Sequence, residues 1–282
     1  MLNFIYPVIS SVLQAGSFTL DKMTMSVKKV TYKTYNGISF PLMTLFTLVL
    51  LLIFRAPLSW DLFKGKLLLF LLLAVIITII TNLIFYRALK SDNLSEMETI
   101  SLLTQIPLII FASIFFKDER NILVLVLALI AVSSIIWSHW KRHHFAIARK
   151  TWPFLIWALL VAPFRGLISK VLLESWNPIS LQLVENFLIC LVFVPLFYKS
   201  IKSVPKKAII FLIITNILTT VAWILYYFSY QMSGVVYTVM IFSLQPVLVY
   251  ISSLIFLKDK LDWKKLVAFG IILVTIIVAQ IF

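Results

Sequence analysis

Charge is scarce in this chain. Only 13% of its 282 residues are charged, against about a quarter in soluble domains. Acidic residues number 11 against 25 lysines and arginines. Alongside 62% hydrophobic residues, so few charges cannot cover a water-soluble surface, which excludes a soluble globular fold. The single cysteine, Cys190, excludes an intrachain disulfide and a cysteine-built zinc cluster, and in its apolar run it reads as inert. No HExxH, G-x-S-x-G or P-loop pattern occurs, so no catalytic constellation is legible and no cofactor is implied. Long polar linkers are absent too. The longest polar stretches, Lys22–Asn36 and Lys141–Lys150, are too short for a soluble domain. His139, His143 and His144 cluster around the second, but no carboxylate or cysteine accompanies them, so it reads as a basic interfacial loop and not as a metal site.

What is present is a series of apolar runs. A membrane-crossing helix needs about 20 mostly apolar residues, and ten segments qualify: 2–21, 37–55, 66–89, 95–116, 121–140, 152–173, 178–198, 207–230, 234–257 and 264–282. The expected fold is therefore an all-α integral membrane protein with ten transmembrane helices. The N-terminal run lacks a basic n-region and a small-residue cleavage site, so it reads as the first membrane helix. The net charge of +14 comes from bases lying between apolar runs. That placement serves membrane orientation, not nucleic-acid binding.

The two halves repeat each other. Asn36-Gly-Ile-Ser39 recurs as Asn177-Pro-Ile-Ser180, Phe85-Tyr86 as Tyr226-Tyr227, and the FFKDE ending at Glu119 as the FLKDK ending at Lys260, each 141 residues apart. Pro107 and Pro246 fall two residues out of that step. The reading is a duplicated five-helix unit, residues 1–140 and 152–282, joined by a connecting loop at 141–151. Because five is odd, the second copy enters the membrane from the opposite side. The expected architecture is thus two inverted five-helix repeats, an arrangement that transporters use to build a midplane site between the halves. One face carries 18 loop lysines and arginines and the other 5. By the positive-inside rule this places both termini outside the cytoplasm.

FTLDK (Phe18–Lys22) closing the first span, FYRALK (Phe85–Lys90) closing the third, and a proline followed by an apolar run and a charged end (Pro107 to FFKDER, Pro246 to FLKDKLDWKKLVAFG) give the chain a likeness. In this order it resembles the EamA-type branch of the drug/metabolite transporter superfamily over nearly its whole length. The resemblance implies a gradient-driven transporter of small metabolites in the cell membrane, with no particular substrate. The family's glycines in the last span of each half are reduced here to Gly270, and its termini are usually cytoplasmic, against the loop charges.

A charged side chain at bilayer depth costs about 2.5–3.5 kcal/mol on insertion scales, so the deep charges are the candidate site. Spans six and seven form a hairpin with its corner at Ser175–Asn177. Counting from that corner at about 1.5 Å per residue puts Arg165 and Glu185 level with each other, roughly 14–16 Å deep. Lys170 and Gln182 are level at a shallower depth, and Gln182 shares a helix face with Glu185. Arg165 and Glu185 form either a structural pair or the wall of a cavity, with Arg165 for an anionic group and Glu185 for a proton or cation. Glu98, opposite Arg87 near the interface, is a second coupling candidate, weighed against a simple interfacial pair. Asp21 and Lys22 receive the interfacial reading. Trp223, Tyr226, Tyr227 and Tyr230 make one helical stripe, either an interfacial belt or a cavity wall, and Gln245 beside Pro246 completes the candidate substrate contacts.

The expected function is export or exchange of a small polar or amphipathic metabolite by alternating access, with protons or a counter-substrate as coupling partners. A homodimer is compatible with it. The alternative is a non-transporting membrane protein, a lipid-modifying enzyme or a structural subunit.

Overall fold

A computed structural model describes residues 4–90, 97, 101, 103–140, 151–201, 204–256 and 262–281. The described residues are helical, with no strand among them. In chain order the helices are α1 (Ile5–Ser26), α2 (Tyr32–Phe54), α3 (Gly65–Leu89), α4 (Gln105–Phe115), α5 (Ile122–His139), α6 (Trp152–Leu160), α7 (Ala162–Leu173), α8 (Pro178–Ile201), α9 (Lys206–Ser233), α10 (Val235–Phe242), α11 (Gln245–Phe256) and α12 (Trp263–Ile281). Glu96, Glu98 and the loop 141–150 lie outside the described residues.

By length and apolarity, α2, α3, α8, α9 and the run Val235–Ser252 can each cross a membrane, and α6 with α7 adds a sixth if that bent pair is one span. Their outward faces are apolar: Leu52, Phe54, Leu69, Leu196 and Ile210 are all more than half exposed. Such a surface fits lipid and not water. Two of the expected spans are broken, each at a proline. The sixth bends by 41° between α6 and α7, where Pro163 opens the new helix. The ninth breaks at Ser243–Leu244, because Pro246 has no N–H for the carbonyl of Phe242, one turn back.

The packing crosses between the two halves of the sequence. α1 lies on α9, and α3 on α7. α2 lies on α8, α5 on α12, α1 on α11, and α4 on α7. The last contact is close: a Cβ on Gly166 of α7 would come within 2.7 Å of the Leu108 side chain of α4. A large apolar core centred on Phe193, Trp176, Leu181 and Met240 fills the middle. A smaller one, around Tyr35, Tyr86, Met97 and Phe154, fills the end where α1 and α3 finish and α2 begins.

Candidate functional site

The two charges set level by residue counting meet. Arg165 Nη2 donates to Glu185 Oε2 at 2.6 Å and to the Tyr227 hydroxyl at 2.6 Å. The Tyr227 hydroxyl in turn donates to Glu185 Oε2 at 3.2 Å. Arg165 Nε donates to the Thr78 hydroxyl of α3 at 2.9 Å, and Nη1 donates to the hydroxyl of Ser169, one turn along α7. One guanidinium therefore ties together α3, α7, α8 and α9. The side chain of Glu185 is 5% exposed and that of Arg165 is 17% exposed, so the pair is mutually compensated in a poorly solvated place, as a deep charge requires.

The arrangement leaves acceptors open and donors committed. Glu185 Oε1 is buried with no hydrogen-bond partner among the described residues, and so is Gln182 Oε1, one turn earlier on α8. Gln182 Nε2 donates to Asn186 Oδ1 at 3.3 Å, and Asn186 Nδ2 to the Thr47 hydroxyl of α2 at 3.4 Å. Two carbonyl-type oxygens thus share a face of α8 and can receive N–H or O–H groups. Arg165, by contrast, spends nearly all its N–H groups on protein oxygens, which leaves little of the fork for an anion.

The aromatic stripe of α9 surrounds this point. The Trp223 ring sits 6.1 Å from that of Tyr227 and 5.3 Å from that of Tyr226. Tyr226 and Tyr230 share a hydroxyl hydrogen bond of 2.9 Å. Arg165, Glu185 and Tyr227 are brought into direct contact, with Trp223 against the Tyr227 ring. Gln245 is buried in the first turn of α11. Glu98 lies outside the described residues. Ser169 is legible in the sequence as the i+4 neighbour of Arg165, whereas Thr78, 87 positions away, carries no local signal.

Lys170 does not reach Gln182 as the hairpin counting suggested. Its ammonium is bonded instead to Asp118 and Glu119, in the turn after α4. Glu119 Oε1 accepts from the Val235 N–H at 2.7 Å and Oε2 from the Val236 N–H at 3.0 Å, so it caps the first turn of α10, where a carboxylate is favoured. Asp118 is largely exposed, and its hydrogen bond from Lys170 holds its carboxyl below the ordinary aspartate range.

Asp21 also departs from the interfacial reading. It is 1% exposed, because α1 continues to Ser26, five residues beyond it. The Tyr35 hydroxyl of α2 donates to Oδ1. Thr215 of α9 donates to Oδ1 at 2.7 Å, and Tyr86 of α3 to Oδ2 at 3.2 Å. The two tyrosine rings stack at 4.0 Å.

Comparison with known proteins gives a family and a fold. Among curated proteins none matches the sequence. A solved crystal structure of a protein superposes with a TM-score of 0.73 over 99% of this chain and 96% of that one, at 12% identity; at such identity the likeness is one of fold alone. Residues 151–280 match the model of the EamA-like transporter family. These residues, which carry Arg165, Glu185 and the α9 aromatics, are thus similar to the EamA-like transporter family, and the apolar helices are those of a multi-pass membrane protein.

Proposed function

We propose that the chain is a ten-span secondary transporter of two inverted five-helix repeats, which moves a small polar or amphipathic metabolite by alternating access. The packing supports the repeat. Exchanging the halves turns the contact of the first span with the eighth (α1 on α9) into that of the sixth with the third (α7 on α3). It also turns the ninth on the first (α11 on α1) into the fourth on the sixth (α4 on α7), and it maps α2 on α8 and α5 on α12 onto themselves. Tyr86 and Tyr227, 141 residues apart, each donate to a buried carboxylate, Asp21 on the first span and Glu185 on the seventh.

The observation that carries the substrate site is the pair of buried, unpartnered acceptors, Glu185 Oε1 and Gln182 Oε1. Beside Tyr227 and Trp223 they suit a solute bearing an ammonium or another N–H group against an apolar body. Arg165 then acts as the strut that aims Glu185, not as an anion receptor. Both ends of the molecule tie one half to the other: Lys170 and α10 to Glu119 at one end, Thr215 to Asp21 at the other. Rocking of the halves would open these ends in turn around the fixed centre. No feature described above favours a lipid-modifying enzyme or a structural subunit.

The test is uptake into proteoliposomes of a radiolabelled panel of small amines, amino acids and organic acids. Uptake of at least one amine-bearing solute is expected. Gln182→Leu and Glu185→Gln should each lower it roughly tenfold or more, the scale of one lost buried hydrogen bond, with an unchanged gel-filtration profile. Failure of the wild-type protein to move any of the panel would refute the reading.

A further inference from the structure

We propose that Asp21 is a proton-binding site, separate from the Arg165–Glu185 centre, and that its loading couples transport to a proton gradient. The coupling half of this rests on the transporter reading above; the proton site does not.

Three features single Asp21 out. First, it is a buried carboxylate with no cationic partner among the described residues. The contrast between the halves shows why. Thr78 and Thr219 are 141 positions apart, which makes them equivalent in the repeat. Thr78 meets Arg165 of the sixth span, whereas Thr219 meets the hydroxyl of Ser17 on the first span, at 2.5 Å. The two threonines thus have different partners, a guanidinium in one case and a hydroxyl in the other, and Asp21 lacks the ion pair that Glu185 has. An isolated ion of this kind is costly at depth, and binding a proton is the cheapest way to remove it.

Second, the neighbours suit both charge states. Tyr35, Tyr86 and Thr215 all donate to the ionised carboxylate. The Thr215 hydroxyl also has a second acceptor, the carbonyl of Ser17 at 3.0 Å. When Asp21 takes up a proton, Thr215 can turn its single hydrogen to Ser17 and accept the new one from Asp21, so no buried polar atom is stranded in either state. A calcium or magnesium ion would instead need about six to eight oxygens turned towards it, and these hydroxyl hydrogens point at the carboxylate.

Third, the site lies across the moving boundary. Asp21 and Ser17 belong to α1, and Thr215 and Thr219 to α9, so the bonds that change with the proton join the two halves. The titratable groups facing Asp21 are Tyr35 from α2 and Tyr86 from α3. From α9 come Thr215 and Thr219, and α11 presents Ser252 to Thr19 at 2.5 Å. Of the lysines at this end, Lys22 donates to the Leu89 carbonyl at 2.7 Å and Lys90 to that of Val30 at 2.5 Å.

The proton is read directly by infrared difference spectra of the full-length protein in lipid, titrated from neutral to acid pH without any solute. A protonated-carboxyl stretch should grow in, be lost in Asp21→Asn and persist in Glu185→Gln. In Thr215→Val, a milder change should the first variant not fold, the band should shift, because the acid loses the hydroxyl it donates to. A band unaltered in both Asp21→Asn and Thr215→Val would overturn the site. In proteoliposomes carrying the amine-bearing solute, Asp21→Asn should lose the acceleration caused by a pH gradient while keeping exchange of labelled for unlabelled solute; a gradient response equal to wild type would overturn the coupling. Where the wild-type protein carries no solute, the transporter reading fails and the infrared band still decides the site.

Discussion

Each of the three carboxylates buried among the described residues solves its solvation problem differently, and each solution sets what a substitution does. Glu185 has a guanidinium, Glu119 has an ammonium and two backbone N–H groups, and Asp21 has only hydroxyls. Removing one member of a buried pair strands the other at a cost of about 3–5 kcal/mol, whereas replacing both by apolar residues of similar volume is often neutral. Arg165→Met should therefore lower the thermal midpoint in detergent sharply, and Arg165→Met with Glu185→Met should recover most of it while remaining unable to transport. A double variant as unstable as the single one would mean that Thr78, Ser169 and Tyr227, not Glu185, account for the cost of losing Arg165. The pair itself was legible in the sequence, because a hairpin sets depth and opposite charges at one bilayer depth are far cheaper paired than apart. The partners of Lys170 and Asp21 were not. Both acquire contacts from spans far along the chain, which counting from the nearest corner cannot see.

Among the helices, the apolar runs foretold the five or six that are long and apolar enough to cross a membrane, but helix ends decide how deep the polar residues sit. Reading the first span as ending at residue 21 put Asp21 in the interface; the helix in fact continues to Ser26, which sets Asp21 roughly 7–8 Å inside its end at 1.5 Å per residue. The polar residues that follow, Lys22 and Thr24, hide this because each finds a carbonyl, Leu89 and Leu20. The junction of α9 and α10 shows the same dependence on a helix end. Gly234 has φ +82°, and a Cβ there would come within 2.6 Å of Glu119 Oε1. Gly234→Ala should cost on the order of 1–3 kcal/mol in backbone strain and push Glu119 away from the N–H groups of α10 and from Lys170. Gly270→Ala, in the middle of α12 with nothing within 4 Å of the added carbon, should be neutral or gain up to about 1 kcal/mol. Thermal midpoints of the two variants side by side test this; equal effects would mean that Glu119 does not anchor α10.

For the whole molecule, the crossing pattern agrees with the proposed pair of inverted copies: each half presents its first and third helices to the other, so the candidate site and both ends are shared between halves. Three short anchors in the sequence point to the copies, but they cannot show that Thr78 meets a guanidinium and Thr219 a hydroxyl, since those contacts come from other spans. The remaining asymmetry is charge. One face holds 18 loop lysines and arginines and the other 5, and loops this short are where that bias sets orientation. The basic face is the one where α1 ends and α2 begins, which is also the end that holds Asp21. With that face towards the cytoplasm, the Lys170–Glu119 contact closes the opposite side, and Asp21 exchanges its proton near the cytoplasmic end. Both termini should then be reached by a membrane-impermeant thiol reagent from outside intact cells, using single cysteines placed at either end in a Cys190→Ser background. Labelling only after the membrane is permeabilised would reverse the orientation, putting Asp21 at the outer end and the Lys170–Glu119 contact at the cytoplasmic one.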